Sequence, residues 1–339
     1  MFAVPGGATL LVPDEYPTIE AAAAAIVLPQ FQSIVLAPGS YELSSAGMLD
    51  VHGATIRGAT GNPRDVMVNG SDQWINNGLL DDLSISHSAL MGVVGTNCML
   101  DQCGGALVPS SFFGCTMNQC GFCDVTCDTC TITSQVGCWP FATCSLTLRD
   151  SYVNLAGTPL TPTSIHATRT TFEATPITAQ VFDIGGQGNF VQCLFKGASG
   201  EALRGELVAN VLIVVNCTFV GNQTDILLEN VECGTAAIFN TIGSIVWATH
   251  PCSPTQLVAL YDLAGEGLVN ADGTLPPGSP AVGAANPYVA IAYGVECGLN
   301  IGWDQGRTSD PCDFVAGDVN SDGIVNGADL GVLLGYWPD

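Results

Sequence analysis

Short apolar runs recur along the chain with the two-residue alternation that is typical of β-strands. Examples are the runs SIVLAP, ATIRGA, LSISHS, CTITSQV, CSLTLRDS and LIVVNCTFVGN. These runs are rich in Val, Ile, Leu, Thr and Phe, and Gly or Asn closes them, as expected for strands that are bounded by turns. The pattern therefore predicts an all-β chain that is built from many short strands.

A second pattern places a cysteine two residues before an apolar residue. It occurs at Cys98, Cys115, Cys130, Cys144, Cys193 and Cys217, with Thr170 in the equivalent place, at spacings of 14 to 26 residues. Cys103 and Cys120 form a second register, each five residues after a cysteine of the first. A repeat of this size predicts a β-solenoid whose coils stack about 4.8 Å apart, so that equivalent residues form internal ladders. We expect the cysteines to be rungs of such ladders.

Three interpretations of the cysteines are open at this point. Rungs on adjacent coils lie close enough for disulfides, which need Cα atoms roughly 4.4–6.8 Å apart. Buried free thiols that act as small apolar side chains are the favoured interpretation for most of them. A metal cluster is the weaker alternative, because Cys120, Cys123, Cys127 and Cys130 have only three residues between their two pairs, whereas zinc ribbons have about a dozen or more.

Composition and charge limit the possible binding partners and the cellular compartment of the protein. The 339 residues include 7 Lys and Arg against 31 Asp and Glu, for a net charge of −24. This balance argues against nucleic acid and anionic membranes as partners, and no apolar run of about eighteen residues predicts a membrane span. The N-terminus lacks the basic region of an intact signal peptide, but fifteen cysteines favour an oxidising compartment. We expect an extracellular or cell-surface location.

Two N-terminal segments, TLLVPDEYPTIEAAAAAI and SIVLAPGSYEL, resemble the first coil of right-handed parallel β-helix proteins of the pectin lyase-like class. The resemblance implies a first strand, a capping helix that begins near Thr18, and a strand that ends in a Pro-Gly-Ser-Tyr turn. The segments DGTLPPGSPAVGAANP and NIGWDQG resemble the part that closes such helices in large environmental bacteria, planctomycetes among them. We therefore predict a right-handed parallel β-helix over residues 1–312, with an N-terminal cap.

The C-terminal segment GDVNSDGIVNGADLGVLLGYW resembles one repeat of a type I dockerin, which is a shortened EF-hand. The resemblance implies a separate module over residues 313–339 that binds Ca²⁺. Its oxygen ligands would come from Asp318, Asn320, Asp322, the Ile324 carbonyl, Asn326 and Asp329. Dockerins carry two repeats, and only one is present here, so the apolar helix after Asp329 has no second repeat to pack against. Its expected partners are another copy of the chain, which would give a filament, a cohesin-like surface protein, or the chain's own β-helix.

Residues with catalytic chemistry are scattered along the sequence. Asp81 and Asp82 are adjacent, but neighbouring strand residues point to opposite faces, so they do not make an acid and base pair by themselves. Arg149, Arg169 and Lys196 are the candidate bases of a lyase. The histidines, namely His52, His87, His166 and His250, are interpreted as surface or turn residues.

Two functions follow from these observations. The favoured hypothesis is an exported, non-catalytic structural or adhesive surface protein that assembles into filaments through its calcium-binding tail. The alternative is a polysaccharide-active enzyme, either pectate lyase-like or a glycoside hydrolase. The hypotheses predict different outer faces. An enzyme requires carboxylates, aromatic side chains and at least one base along one sheet, whereas a structural protein requires mostly Ser, Thr, Asn and Gly.

Overall fold

The computed structural model describes residues 9–27, 32–44, 47–105, 108–122, 124–133, 145–155, 164–174, 182–184, 187–206, 211–229, 235–247, 256–260, 263–264, 268–282, 284–285 and 302. The predicted tail ligands Asp318, Asn320, Asp322, Ile324, Asn326 and Asp329 lie outside this part of the chain, as do His250 and the boundary predicted near residue 312. Within the described residues, no helix is long and apolar enough to cross a membrane.

The described elements are one short α-helix, a 3-10 helix at Pro63–Asp65 and many short strands. The helix is α1 (Ile19–Ala24). The strands are β1 (Thr9–Val12), β2 (Ser33–Leu36), β3 (Gly39–Glu42), β4 (Met48–Asp50), β5 (Thr55–Gly58), β6 (Val66–Asn76), β7 (Leu79–Asp81), β8 (Ser84–Met91), β9 (Val94–Thr96), β10 (Met99–Asp101), β11 (Gly104–Gly105), β12 (Ser110–Phe113), β13 (Thr116–Asn118), β14 (Gly121–Phe122), β15 (Val125–Asp128), β16 (Thr131–Thr133), β17 (Ser145–Arg149), β18 (Tyr152–Leu155), β19 (Ser164–Thr168), β20 (Thr171–Ala174), β21 (Phe182–Ile184), β22 (Gln187–Val191), β23 (Leu194–Lys196), β24 (Glu201–Glu206), β25 (Val211–Val215), β26 (Thr218–Val220), β27 (Thr224–Glu229), β28 (Thr235–Phe239), β29 (Ile245–Trp247) and β30 (Gln256–Leu260).

The strands stack into three faces of a parallel β-helix. The first face is a sheet in the order β1-β2-β5-β7-β9-β12-β15-β17-β19-β22-β25-β28-β30. The second face contains β3, the first halves of β6 and β8, and then β10, β13, β16, β18, β20, β23 and β26. The third face contains β4, the second halves of β6 and β8, β11 and β14, and later β21, β24, β27 and β29. The predicted right-handed parallel β-helix is confirmed.

The predicted N-terminal cap is also present. Helix α1 begins after Thr18, whose Oγ1 accepts a hydrogen bond from the Ala21 N–H at 3.1 Å. Such a side chain satisfies one of the free N–H groups at the start of a helix. Ile19 and Ala22 are buried against the first coils. The helix therefore covers an end of the solenoid where strand edges would otherwise be exposed.

Each corner from the first to the second face, from Asp82 onward, consists of one left-handed residue and one buried residue, and that buried residue is small on every described coil after Leu83. Asn97, Arg169 and Asn216 adopt φ values of 48°, 47° and 51°. Their N–H groups donate to carbonyls of the next coil at 3.0 Å each. Continuous hydrogen bonding along the corner thus offsets the cost of a left-handed conformation at residues other than glycine.

The buried residue of this corner forms the predicted ladder. Its rungs are Leu83, Cys98, Cys115, Cys130, Ser151, Thr170, Cys193, Cys217 and Thr241, and all are nearly inaccessible to solvent. Ser88, Cys103 and Cys120 form the second ladder, at the corner between the second and third faces. The eight described cysteines are buried free thiols, which agrees with the favoured interpretation of the sequence.

One rung of the predicted ladder is wrong. Cys144 itself lies outside the described residues, but Leu146, its apolar partner in the pattern, pairs with Val125 on the first face. The ladder position after Cys130 belongs to Ser151, because Tyr152 pairs with Thr131 on the second face. A serine hydroxyl fits the same small rung as a thiol, so a search for cysteine selected the wrong phase.

The predicted Pro-Gly-Ser-Tyr turn also needs correction. Gly39–Glu42 forms strand β3, which pairs with β6 from Gly39 onward, so the turn is confined to Ala37 and Pro38. The Tyr41 hydroxyl lies within 2.7 Å of the Ala37 carbonyl oxygen and ties the new strand to this turn. The turn is therefore shorter than the resemblance to pectin lyase-like proteins implied.

The coils of residues 79–133 are triangles with very short sides. Buried residues recur every fifth position, as at Leu80, Ile85, Leu90 and Leu100, and Leu80 pairs with Gly95 of the next coil. Three five-residue sides explain why the cysteine spacing here is shorter than in the later coils. The later coils are wider, and their interior holds a stack in which the rings of Phe172, Phe195 and Phe219 follow one another at 5.0 and 4.7 Å.

A C-terminal segment covers the second face from β23 onward. Leu194 points outward by strand alternation, because Phe195 points into the core, yet Leu194 is buried. Gly273 packs directly on its side chain. The Gly302 N–H donates to the Asn240 carbonyl at 2.7 Å on a later coil. The second face is therefore covered at β23 and β26 but is accessible at β18 and β20.

Candidate functional site

Asp81 and Asp82 lie at a corner and do not form a pair that faces one ligand. Asp81 is opposite Arg57 on the first face, whereas Asp82 is the left-handed corner residue and accepts a hydrogen bond from Asn97 Nδ2 at 2.6 Å. Burial raises the pKa of the Asp81 carboxyl, and the Asp82 charge adds to this effect, while Arg57 opposes it. The expectation that these residues are not an acid and base pair agrees with this geometry.

The structure places the three candidate bases on three successive coils. Arg149 ends β17 and Arg169 follows β19, so these two lie at the corner between the first and second faces of successive coils. Lys196 is on the next coil but ends the second-face strand β23, beyond that corner. They are three of only seven Lys and Arg residues in the chain. The sequence identified them singly, and the solenoid concentrates them on one side of the molecule.

Arg149, His166 and Asn189 form what we call the first-face cluster. Thr147, His166 and Asn189 occupy one register position on three adjacent strands, and such strands are about 4.8 Å apart. Arg149 lies two residues beyond Thr147 and points to the same side. Arg149 and His166 are exposed, and neither side chain makes an ion pair or hydrogen bond with another described residue.

Asn189 adds an unusual feature to the first-face cluster. Its Oδ1 atom is buried and has no hydrogen-bond partner among the described residues. An unpaired polar atom of this kind is costly in a folded protein unless a ligand or water satisfies it. Together the cluster offers a cationic group, an imidazole and an amide oxygen without intervening salt bridges.

A bidentate ion pair between Asp150 and Arg169 occupies the corner itself. Arg169 Nε and Nη2 lie 2.6 and 2.7 Å from the two carboxylate oxygens of Asp150. Both residues are left-handed, on adjacent coils. Because the guanidinium is engaged with this carboxylate, Arg169 is a structural element of the corner, and Arg149 is the better placed of the two arginines to meet a ligand.

Tyr152, Asn154, Glu173 and Lys196 form the second-face cluster, beyond the corner. Tyr152 Oη donates to Glu173 Oε2 at 2.7 Å, and Lys196 Nζ lies 2.8 Å from the same oxygen. The hydrogen bonds from Lys196 and then from Tyr152 hold the pKa of the Glu173 carboxyl below its usual value. Burial, followed by the bond to Glu173, raises the pKa of Tyr152. At neutral pH this cluster therefore contains a carboxylate, an ammonium and a neutral phenol.

The C-terminal segment bounds one side of the second-face cluster. Gly273 packs on Leu194, two residues before Lys196. The hydrogen bonds from Thr274 are the main cause of the lowered pKa of Asp272, and the Lys196 charge makes a smaller contribution in the same direction. The turn at Asn270–Thr274 is closed by a 2.8 Å backbone hydrogen bond. The cluster thus lies at the step between the accessible and the covered parts of the second face.

The earlier coils have a different surface. Residues 94–133 contain no Lys, Arg, His, Tyr, Trp or Glu, and their outward positions are mostly Thr, Ser and Asn, such as Ser111, Thr116, Asn118, Thr126 and Thr131. The outer faces therefore divide into a plain region and a region rich in reactive side chains. This contrast in the sequence is a signal that could have located both clusters.

Of the remaining candidates, His52 and His87 are left-handed turn residues, as predicted. Cys120 and Cys130 lie at different corners of their coils, and Cys127 points inward from β15. Cys123 lies outside the described residues. Among the described residues, no group of His, Cys, Asp or Glu side chains is arranged to hold a metal ion.

Comparison with known proteins finds no matching family model and no matching curated protein. Similar solved structures include the PL6 family polysaccharide lyase Pedsa3628 from Pseudopedobacter saltans, at 11% identity and a TM-score of 0.42 over 71% of this chain and 89% of that one. The PL6 family alginate lyase AlyGC is 13% identical, with a TM-score of 0.46 over 89% of this chain and 58% of that one. A GH87 α-1,3-glucanase from Streptomyces thermodiastaticus is 12% identical, with a TM-score of 0.42 over 81% of this chain and 71% of that one. At these values the likeness concerns only the parallel β-helix fold.

Proposed function

We propose that the protein is a polysaccharide-active enzyme that cleaves an acidic polysaccharide by β-elimination at the first-face cluster. The observation that supports this most is the position of Arg149, His166 and Asn189 on adjacent strands, with the two basic groups exposed and unpaired among the described residues. These are the side chains that recognise a uronate carboxylate and remove a proton.

The chemistry assigns a role to each residue. Arg149 pairs with the uronate carboxylate, since guanidinium binds carboxylate in a bidentate manner, and neutralising this charge makes the adjacent C–H bond more acidic. His166 takes that proton as general base. The electron pair of the C–H bond forms a carbon–carbon double bond, the bond to the glycosidic oxygen breaks, and water protonates the leaving oxygen. Asn189 Oδ1 accepts a hydrogen bond from a sugar hydroxyl.

Glycoside hydrolysis fits the described residues less well. It needs two carboxyl groups, roughly 5–10 Å apart, that flank one bond. Near the two clusters, Asp150 is engaged with Arg169 and Glu173 with Lys196. A carboxylate held in such an ion pair is a poor general acid, because the pair keeps it ionised. The described surface therefore favours elimination.

The non-catalytic hypothesis predicts outer faces of Ser, Thr, Asn and Gly. Residues 94–133 fit that expectation, but the coils that begin with β17 and β19 do not, since they present Arg149, Tyr152, His166 and Glu173. This concentration of basic, aromatic and acidic side chains is the outcome expected of an enzyme. The structural or adhesive role is therefore the second candidate.

The test is a cleavage screen on alginate, polygalacturonate and a neutral glucan. Elimination produces unsaturated ends that absorb ultraviolet light, whereas hydrolysis produces reducing ends without that absorbance. We expect absorbance from one acidic polymer and none from the glucan, and we expect His166→Gln to abolish it while His87→Asn, at another exposed histidine, does not. Hydrolysis products, or no cleavage of any polymer, would contradict the proposal.

A further inference from the structure

The second-face cluster has hydrogen-bonding capacity that the described protein does not use. The contacts from Tyr152 and Lys196 both fall on Glu173 Oε2, and Oε1 accepts no hydrogen bond from another described residue. Asn154 Oδ1 is buried and also lacks one there. Asn154 and Glu173 are paired in register on β18 and β20, which places the two acceptors on strands about 4.8 Å apart.

Two neighbouring acceptors call for a ligand that donates two hydrogen bonds. A divalent cation would satisfy oxygen atoms, but the Lys196 ammonium, 2.8 Å from the Glu173 carboxylate, would repel it. A ligand carboxylate would be repelled by Glu173, which its hydrogen bonds keep ionised. Adjacent hydroxyl groups are neutral, each donates one hydrogen bond, and each can also accept one. Hydroxyls therefore match the charges and the acceptors of this cluster.

We propose that the second-face cluster binds the vicinal diol of a saccharide unit, with Glu173 Oε1 and Asn154 Oδ1 as acceptors and Lys196 as donor to one hydroxyl. Tyr152 is a positioning residue, because its hydrogen bond to Oε2 orients the carboxylate. The turn at Asn270–Thr274 bounds the site on the Lys196 side. The inference rests on the proposed function for the class of ligand, and it adds the feature of the sugar that the neighbouring face recognises.

The site makes a specific structural prediction about Asn154. Its Oδ1 makes no hydrogen bond within the described protein, so Asn154→Ala removes the proposed ligand contact. The substitution also removes the side-chain hydrogen bond between Asn154 and Tyr152. The melting temperature of this variant should fall only slightly, because the one described bond that is lost joins two partly exposed side chains. Glu173→Gln retains the shape of the side chain but weakens acceptance of hydrogen bonds, and Thr131→Ala on the preceding second-face strand is the matched control.

The experiment is calorimetric titration with tetragalacturonate and with cellotetraose, which both carry vicinal diols, in a His166→Gln background that prevents turnover. We expect Asn154→Ala to weaken binding by about fivefold and Glu173→Gln by about tenfold or more, as for loss of a neutral and a charged hydrogen bond, with no change for Thr131→Ala. Tetragalacturonate whose diols have been cleaved by periodate and reduced should lose affinity in the same proportion.

Unchanged affinity in both Asn154→Ala and Glu173→Gln would overturn the proposal, as would equal binding of the periodate-treated sugar. Absence of binding to both intact sugars would overturn it as well. Because binding is measured without turnover, a protein that requires the diol yet cleaves no polymer would support this site and contradict only the proposed elimination.

Discussion

The Cys130 N–H donates a hydrogen bond to Ser151 Oγ, 3.1 Å away on the next coil. Ser151 Oγ in turn lies 2.7 Å from the Arg149 carbonyl oxygen and donates to it. The Cys98 N–H has the same relation to Cys115 Sγ at 3.3 Å. Leu83 is the exception among the described rungs; from Cys98 onward the rungs are small, and those that follow Cys98 and Cys130 accept an N–H from the preceding coil. Either a thiol or a hydroxyl meets both requirements.

Substitutions at Cys130 test this requirement. We expect Cys130→Ser to change the free energy of unfolding little, since serine occupies the next rung. Cys130→Leu should lower it by about 1–3 kcal/mol through overpacking. Chemical denaturation in reducing buffer measures both values. A leucine variant as stable as the serine variant would show that the corner is not closely packed.

The buried thiols should make the fold sensitive to alkali. Burial, followed by the hydrogen bond with Cys193, raises the pKa of Cys217 well above its usual value. The hydrogen bond with Cys115 is the largest effect that raises the pKa of Cys130, to about 12. A thiol in the unfolded chain ionises near pH 8.5, so the stability from these groups is complete below that pH and is lost as pH rises toward the folded pKa.

We therefore expect the free energy of unfolding to fall between about pH 8.5 and 12, by up to about 1.4 kcal/mol per pH unit for each such thiol. Denaturation at several pH values under reducing conditions gives the slope. Cys217→Ser should reduce the slope, because serine does not titrate in this range. Stability that is constant across the alkaline range would contradict the burial of these thiols.

The corner residue Arg169 gives a prediction opposite to the usual ranking of glycine and alanine. Arg169 has φ 47°, which costs a non-glycine residue about 1–2 kcal/mol, and its partly exposed ion pair with Asp150 contributes no more than about 1 kcal/mol. Arg169→Ala loses the pair and keeps the strain, whereas Arg169→Gly loses the pair and removes the strain.

We expect Arg169→Gly to unfold at a higher denaturant concentration than Arg169→Ala. Thr171 on the adjoining strand is the control, since glycine in a strand is less stable than alanine by about 0.5–1 kcal/mol. Gly114 already occupies the equivalent corner of an earlier coil, with φ 61°. If alanine were the more stable replacement at both sites, the left-handed corner would not cause strain.

Calcium binding by residues 313–339 remains a prediction from the sequence. Titration of the full chain should show one Ca²⁺ site, because the motif supplies three carboxylates, two amides and one carbonyl as hard oxygen ligands. Asp318→Ala should abolish binding and leave the melting temperature of the β-helix unchanged. Binding that survives this substitution would place the ion elsewhere.

Assembly through the same tail is a separate prediction. Light scattering should show larger particles with calcium than with a chelator, and deletion of residues 313–339 should remove the difference, since a contact between unlike surfaces does not close on itself. A particle size that is independent of calcium would leave the tail as a calcium module without a role in self-assembly.

The fold could be predicted from the sequence more fully than the candidate site could. Strand alternation and the cysteine pattern reflect the interior, where successive coils repeat a small buried residue at the same corner, so Cys98, Cys115 and Cys130 could be placed correctly. The ladder position was assigned wrongly to Cys144, because the coil length changes there and a serine, Ser151, takes the place of cysteine. A five-residue period at Leu80, Ile85 and Leu90 was present in the sequence and would have defined the triangular coils.

The first-face cluster could not be assembled in the same way. Arg149, His166 and Asn189 are 17 and 23 residues apart, and their alignment depends on the number of residues that each coil places outside its strands. His166 was interpreted as an ordinary surface residue for this reason. Outward residues need no repeat, so only the register of the strands shows which of them are neighbours.

The most direct test of the account compares Arg149→Ala with Arg64→Ala on the acidic polysaccharide that the wild type cleaves best. Arg64 is an exposed arginine of the N-terminal coils, on the 3-10 helix, and serves as the matched control. We predict that formation of unsaturated ends falls by a factor of about 100 or more in Arg149→Ala, as for loss of an electrostatic contact to developing charge, and is unchanged in Arg64→Ala. Equal rates in the two variants would contradict the assignment of the first-face cluster as the site of the reaction.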